Sequence, residues 1–489
     1  MSNPIPFIAS LTCDRVELFT RSVPSITDEL NKWKHNKLFV AFDDSQSADI
    51  RDKKRNILSK LSLSSGHKNL YAGLEEKKDF INRLLPGLPA DYHKSAEYMF
   101  FGDPDSSILK GPGGNRNSVL AAFAGSRYIS FDDDIMLNNL TLLDSSTEII
   151  LKKGWPDFEI GLFYDYNDIK NSTKPFTKDL FRLYETILGK NLKDLNSDFG
   201  IGKVRAITPG LYGGRWSSRP HVYLFKDQIF NSDKYKSKDI YKKIKYEALY
   251  HIQPVNTVIF DAPLLYGIAI GIDSSEIVPP FFPQLRNQDH LWAYALQACC
   301  RDSKIAFLPV ALYHDWEEKK PFTKKDFKSV GADLGLQMAI IFSIVSEKIK
   351  LNSNEDRFKI FGESLIELSE FPHPYWMEFC RTLWHKHVGD SVNSLNQLLE
   401  KYEGEPHFWA KDVKKYMDRL RSTSMDVEAF IPQELHSAGS VEEAGKIHRK
   451  MLNSYGTLLT QWPQIWDVIC KMNKAGEGLL KDEYSKSLK

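Results

Sequence analysis

The sequence predicts an α/β fold: a Rossmann-like, mostly parallel sheet in its first two thirds, followed by an α-helical carboxy-terminal domain. Three observations carry the prediction. Short apolar runs alternate with stretches of helical periodicity through the first third, the pattern of a sheet covered by helices on both faces. Two of those runs stop in consecutive aspartates, Asp43-Asp44 and Asp132-Asp133-Asp134, at what should be strand carboxyl ends. From about Phe322 onward the apolar spacing is helical throughout.

Pro6 to Leu11 reads as the first strand, broken by Thr12-Cys13-Asp14-Arg15. Val16, Leu18, Phe19, Val23, Ile26 and Leu30 then recur at helical spacing. Lys37 to Phe42 is too short an apolar run for a helix and closes on Asp43-Asp44-Ser45, a triplet suited to a turn. A charged helical region spans Ile50 to Leu85, and a loop runs from Gly102 to Gly114. An Ala-rich helix follows from Asn117 to Ala124, with Gly125 placed to stop it. Arg127 to Phe131 is the next buried strand. Residues from about 136 to 320 are less regular, with the Gly- and Pro-containing loops that tend to face ligands. Helical periodicity then covers Gly331 to Lys350, Glu355 to Leu368, Pro374 to His387, Val392 to Tyr402, His407 to Ser422 and Val441 to Met472. Residues 321–489 are read as a separate helical domain, with Trp376, Trp384, Trp409, Trp462 and Trp466 in its core.

Composition narrows the function classes. The 489 residues carry 65 Lys+Arg against 64 Asp+Glu, which lacks the basic footprint of a nucleic-acid binder. Five cysteines, Cys13, Cys299, Cys300, Cys380 and Cys470, show no CxxC spacing, which argues against a disulfide framework or a zinc knuckle. Met1 to Ser10 lacks the basic and apolar regions of a secretory signal, and no uncharged apolar run reaches the ~18 residues that span a bilayer. The expectation is a cytoplasmic protein without a transmembrane segment.

The aspartates carry the chemistry. In open α/β sheets ligands bind beyond the carboxyl ends of the strands. Asp132, Asp133 and Asp134 repel one another, and alternation along an extended chain lets the first and third face one side. Mn²⁺ or Mg²⁺ would offset that repulsion, because these ions take hard oxygen ligands from one or two carboxylates and a substrate phosphate. The plain alternative is a solvated acidic turn. Just upstream, Gly111-Pro112-Gly113-Gly114-Asn115-Arg116-Asn117 opens a helix and offers backbone N–H groups and a guanidinium to phosphate oxygens. It matches neither GxxxxGK[ST] nor GxGxxG.

Taken in order, Thr12-Cys13-Asp14-Arg15, Phe42-Asp43-Asp44-Ser45, Gly114-Asn115-Arg116-Asn117 and Ile129 to Asp134 resemble the landmarks of GT-A fold, nucleotide-sugar-dependent glycosyltransferases, especially family 2-like members. The resemblance covers about Pro6 to Trp316. It implies a nucleotide-sugar-binding half in residues 1–135 and an acceptor-binding half in 136–320. It implies that Thr12, Arg15, Asp43 and Asp44 surround the nucleoside, that Arg116 faces the donor, and that Asp132 and Asp134 bind metal and donor diphosphate. The register of the triplet leaves Asp133 open as a donor-facing carboxylate.

Further on, Arg286-Asn287-Gln288-Asp289-His290 enters an apolar helical stretch. Asp289 near a helix start is by itself an N-cap or dipole contact worth about 1 kcal/mol. In the resembled family the corresponding place reads Glu-Asp, with the Asp as catalytic base; here Gln288 replaces the Glu and the carboxylate remains. Ile305 to Tyr313 delivers His314-Asp315-Trp316 to a strand end, and by the resemblance His314 is a third metal or diphosphate ligand. Tyr212, Arg215 and Trp216, in the loop from Thr208 to Trp216, offer aromatic faces and donors to an acceptor sugar, or simply pack. No QxxRW follows Asp289, which disfavours a processive polymerase.

These observations lead to the expectation of a metal-dependent, inverting glycosyltransferase. It would move a sugar from a nucleotide donor, a UDP-sugar above others, to a hydroxyl of a glycan, lipid-linked or protein acceptor, with Asp289 as base. The alternatives are a nucleotidyltransferase on a related fold and a non-catalytic glycan-binding or assembly subunit. The helical domain is open to acceptor recognition, oligomerisation or docking.

Overall fold

A computed structural model describes residues 4–65, 68–103, 111–163, 165–195, 202–214, 224–225, 237–247, 249–284, 286–315, 323, 330–347, 349, 353–424, 426 and 429–487. Its centre is one large mixed sheet. The strands are β1 (Phe7–Thr12), β2 (Leu38–Asp43), β3 (Asn69–Ala72), β4 (Arg127–Asp132), β5 (Ile135–Leu142), β6 (Ile149–Lys152), β7 (Glu159–Phe163), β8 (Thr173–Pro175), β9 (Lys203–Gly213), β10 (Leu249–Gln253), β11 (Thr257–Phe260), β12 (Ala269–Asp273) and β13 (Ser303–His314). The main path runs β3-β2-β1-β4-β12-β9-β13-β11-β6.

The first four strands on this path are parallel, as the alternating pattern predicts. Beyond them the sheet is mixed, because β12 runs antiparallel to both β4 and β9, while β9 and β13 are parallel to each other. β1, β2, β4, β9 and β13 therefore end at the same edge. Thr12 pairs with Asp43, Leu11 with Asp132, and Gly213 with His314. β1 and β2 are buried at every residue, as strands covered on both faces must be.

The charged region from Ile50 to Leu85, expected as helical, contains two helices, Ala48–Ser65 and Leu74–Leu84, with the short strand β3 between them. Four residues joining long helices are too few to register as a separate period. The Pro374 to Tyr402 region is one helix, His373–Lys401. The Ala-rich helix begins earlier than its apolar pattern suggested, at Gly113, and Gly125 follows it at a φ of 89°.

The carboxy-terminal helices share one continuous core with the sheet and its helices. The 35-residue helix Val441–Ala475 starts on Ser440, whose side chain accepts from the Glu443 N–H, and ends on left-handed Gly476. It crosses the Asn354–Ser369 helix where Gly456 and Gly362 let the backbones touch: a Cβ on either would come within 2.6 Å of the other's carbonyl oxygen. Along its length Tyr455 Oη donates to Pro280 O at 2.8 Å and Trp462 Nε1 to Val278 O at 2.7 Å. Asn473 Nδ2 donates to Ala121 O at 2.9 Å. Helical periodicity reveals the helices but not the surface they bury. Among the described residues, no helix is long and apolar enough to cross a membrane.

Candidate active site

The common strand edge gathers the acidic residues. β4 ends at Asp132, Asp133 and Asp134 form a turn, and β5 begins at Ile135. The pairing of His314 with Ile135 and a 2.7 Å bond from Asp315 N–H to Asp134 O bring the end of β13 against that turn.

Each aspartate has a cation beside it, and Asp133 and Asp134 share Arg15. Asp132 Oδ1 accepts from Arg116 Nη2 at 2.8 Å. Asp133 is fully buried, accepts from Thr12 Oγ1 at 2.6 Å and pairs with Arg15. Asp134 Oδ2 lies 2.9 Å from Arg15 Nη1 and 3.6 Å from His314 Nε2. Burial pushes Asp132 up to about 6 against the pull of Arg116, and Asp133 up to about 7 against Arg15. Burial also acts to raise Asp134, but His314 and Arg15 outweigh it and hold that carboxyl well below the usual range. Burial acts to lower His314, and Asp134 overrides it, so the imidazole is raised.

The first turn of the Gly113–Ala122 helix positions much of this. Gly113 and Gly114 have no room for a side chain, since a Cβ would lie 1.9 Å from Phe282 O and 2.2 Å from Phe100 O. That close approach lets three consecutive side chains clamp their neighbours. Asn115 Nδ2 donates to Phe42 O at 2.9 Å, and Asn117 Nδ2 donates to Met99 O at 2.8 Å. Arg116 bonds Asp132 and, at 2.7 Å, Gly267 O. Arg116 was expected to face donor phosphate. It is only 3% exposed and instead holds protein groups, because the helix starts four residues before its apolar pattern and carries Arg116 inside.

Asp43 and Asp44 also differ from expectation. Asp43 is fully buried and accepts from Ser45 N at 2.9 Å, Ser45 Oγ at 2.5 Å, Lys54 Nζ at 3.1 Å and Tyr71 Oη at 2.7 Å. Four donors fill the acceptor capacity of one carboxylate, so it anchors the β2 end rather than lining an open pocket. Burial acts to raise it, and Lys54, Ser45 and Tyr71 together hold it below its ordinary value. Lys54 Nζ also donates to Thr12 Oγ1 at 2.8 Å, which links Asp43 to Asp133. Asp44 is partly exposed and pairs with buried Lys77, which donates to Asn115 Oδ1 at 2.8 Å. Sequence reasoning missed both lysines. Their signal is register: Lys54 falls four residues before Leu58, and Lys77 three and four before Phe80 and Ile81, on the buried stripes of their helices.

Asp289 sits in the first turn of the Gln288–Cys299 helix, but the helix has no side-chain cap, so the capping alternative does not hold. Its Oδ2 accepts from Gly267 N–H at 2.6 Å. Because Gly267 O is held by Arg116, Asp289 is linked to Asp132 through one residue and one guanidinium.

Tyr212 is 6% exposed, packs in a small second core with Phe163, Ile169 and Ala311, and donates its hydroxyl to Asn138 O at 2.5 Å. Its ring is thus part of a core and not an open platform. Burial raises its phenol. Arg215 and Trp216 lie outside the described residues.

Among the described residues, no group of three or more His, Cys, Asp or Glu side chains converges as a metal site. Asp132 is engaged by Arg116, which leaves Asp134 and His314 facing each other. Of that pair the carboxylate is the ligand type that Mn²⁺ or Mg²⁺ takes, and a substrate phosphate would have to supply the remaining hard oxygens; the same carboxylate is already paired with Arg15. Scanned against models of known protein families the chain matches none, and no curated protein matches it.

Proposed function

We propose that the chain is a GT-A-type, family 2-like glycosyltransferase that moves a sugar from a nucleotide donor, a UDP-sugar above others, to a hydroxyl of a glycan, lipid-linked or protein acceptor. The observation that carries this reading is the meeting of Asp132, Asp134, His314, Arg15 and Asp289 at one strand edge, although they span positions 15 to 314 of the chain.

In this reading Asp289 takes the proton of the acceptor hydroxyl. Its Oδ2 is committed to Gly267, and its Oδ1 has no hydrogen-bond partner among the described residues, so Oδ1 is the atom that receives it. Arg15 is the cation best placed for an entering diphosphate, being half-exposed while Arg116 is enclosed. Asp134 and His314 would hold the divalent ion, which supplies positive charge against the departing nucleoside diphosphate. Asp43 and Lys54 keep the β1 and β2 ends in place beneath them.

The test is turnover of a nucleotide-sugar panel by the purified chain with Mn²⁺, read as release of nucleoside diphosphate. Asp289→Asn should lower transfer by about 10²–10⁴-fold with donor binding retained. Release of pyrophosphate from nucleoside triphosphates would instead identify a nucleotidyltransferase. Glycan binding without nucleotide or metal affinity would identify a non-catalytic subunit.

A further inference from the structure

The turn before β12 is held more firmly than a connecting loop requires. Thr208 Oγ1 contacts both Tyr266 N and Tyr266 O at 3.2 Å. Asp132 N–H donates to Ile268 O at 3.0 Å. Between them, the N–H of Gly267 is taken by Asp289 Oδ2 at 2.6 Å and its carbonyl by Arg116 Nη2 at 2.7 Å. The same Nη2 bonds Asp132 Oδ1 at 2.8 Å. Four groups from distant parts of the chain thus close on three residues. Gly267 is buried, and a Cβ there would lie 2.8 Å from Arg116 Nη2 and 2.9 Å from Asp289 Oδ2.

We infer that Gly267 is a positioning residue, whose residue-wide grip between Asp289 and Arg116 sets the carboxylate of Asp289 at a fixed separation from Asp132. The assignment of what that separation serves rests on the glycosyl-transfer reading. Proximity effects make the point matter, because a base must sit within hydrogen-bond reach of the proton it removes and small displacements are expensive. Arg116 acts through Gly267, without reaching the reacting atoms. Any residue larger than glycine must push either the guanidinium or the carboxylate away. The nearer atoms are ends of side chains, so the protein can yield there and still fold.

Two measurements on the full-length protein test this. The first needs no activity: amide hydrogen exchange at residue 267 in the wild type and in Asp289→Ala. Loss of the acceptor should speed exchange at Gly267 at least tenfold while neighbouring helices keep their protection. Unchanged exchange overturns the inference, whatever the protein's activity. The second compares Gly267→Ala, Asp289→Asn and the double variant on whichever nucleotide-sugar the wild type turns over. Positioning predicts a kcat at least tenfold lower in Gly267→Ala, a donor KM within about twofold, and no further loss when Asp289→Asn is added. Additive losses, or a wild-type kcat in Gly267→Ala, overturn it. If the wild type turns over no donor, the glycosyl-transfer reading fails and the exchange result alone decides whether Gly267 positions Asp289.

Discussion

Replacing Lys54 with methionine separates two roles that Asp43 could have at the β2 end. Both side chains are wholly buried, with Nζ 3.1 Å from Oδ1. Methionine fills much of the lysine's space but leaves a buried carboxylate whose remaining partners are neutral, Ser45 and Tyr71. Breaking a buried ion pair from one side costs about 3–5 kcal/mol, mainly because the abandoned charge has no compensation. Asp43→Asn should cost somewhat less, about 3 kcal/mol, since Lys54 keeps Thr12 Oγ1 at 2.8 Å and Ser45 Oγ at 2.9 Å. The double variant should fall short of the sum by more than about 1 kcal/mol, because the second change removes the stranded partner of the first. Urea unfolding followed by tryptophan fluorescence and far-UV circular dichroism measures all three. If Asp43 instead serves a nucleoside, Asp43→Asn spares the midpoint and weakens only nucleotide binding. Losses below about 1 kcal/mol for both single variants would refute the anchoring argument.

The remaining predictions concern packing and protonation. Gly113→Ala should destabilise the chain by about 3 kcal/mol, since its Cβ would meet Phe282 O at 1.9 Å and the contact is backbone against backbone; thermal unfolding reads this. His251 and His448 are buried, and burial lowers them to about 4 and about 3. The unfolded chain therefore binds protons first, at about 6.5. Stability should fall as pH drops from 6.5, by up to roughly 3 kcal/mol from His251 and roughly 5 kcal/mol from His448. His448→Phe, beside Trp376 at a ring separation of 5.0 Å, should flatten that acid limb in urea titrations at successive pH values. Asp43 acts in the same direction at lower pH: its depressed carboxyl stabilises above about 3.9, and that contribution is lost as pH falls through its folded value. A fragment ending at residue 320 should fail to fold, shown by exposed-surface dye binding and aggregation on gel filtration, because it leaves Val278 O and Pro280 O without Trp462 and Tyr455.

What could be read from the sequence follows physical range. β1, β2 and β4 were legible because burial on both faces writes an unbroken apolar run, and the aspartates that end β2 and β4 mark the carboxyl-end edge of the parallel strands. The meeting of Asp132 with Asp289 was legible only through order along the chain, since no local pattern states a contact between positions 157 residues apart. Hidden instead were the groups that satisfy those charges. Lys54 and Lys77 look like solvated residues of charged helices until their register with buried leucine and phenylalanine is noticed. Arg116 looked ligand-facing because two glycines before it resemble a phosphate loop; they are there to let backbones touch. Gly267 carries no motif, and only its two hydrogen bonds reveal it. Tyr212 shows the same limit, since an aromatic in a Gly-rich stretch reads alike whether it lies in a small core or on a surface.

The ring of Tyr484 lies stacked on Phe7, 5.3 Å between centroids, and its hydroxyl donates to Ala124 O at 2.8 Å. On the ribosome, Phe7 emerges 477 residues ahead of the ring that covers it. The nascent sheet carries that aromatic face bare until residue 484 has been made, and a message truncated just before it would release a chain in which the cover never arrives.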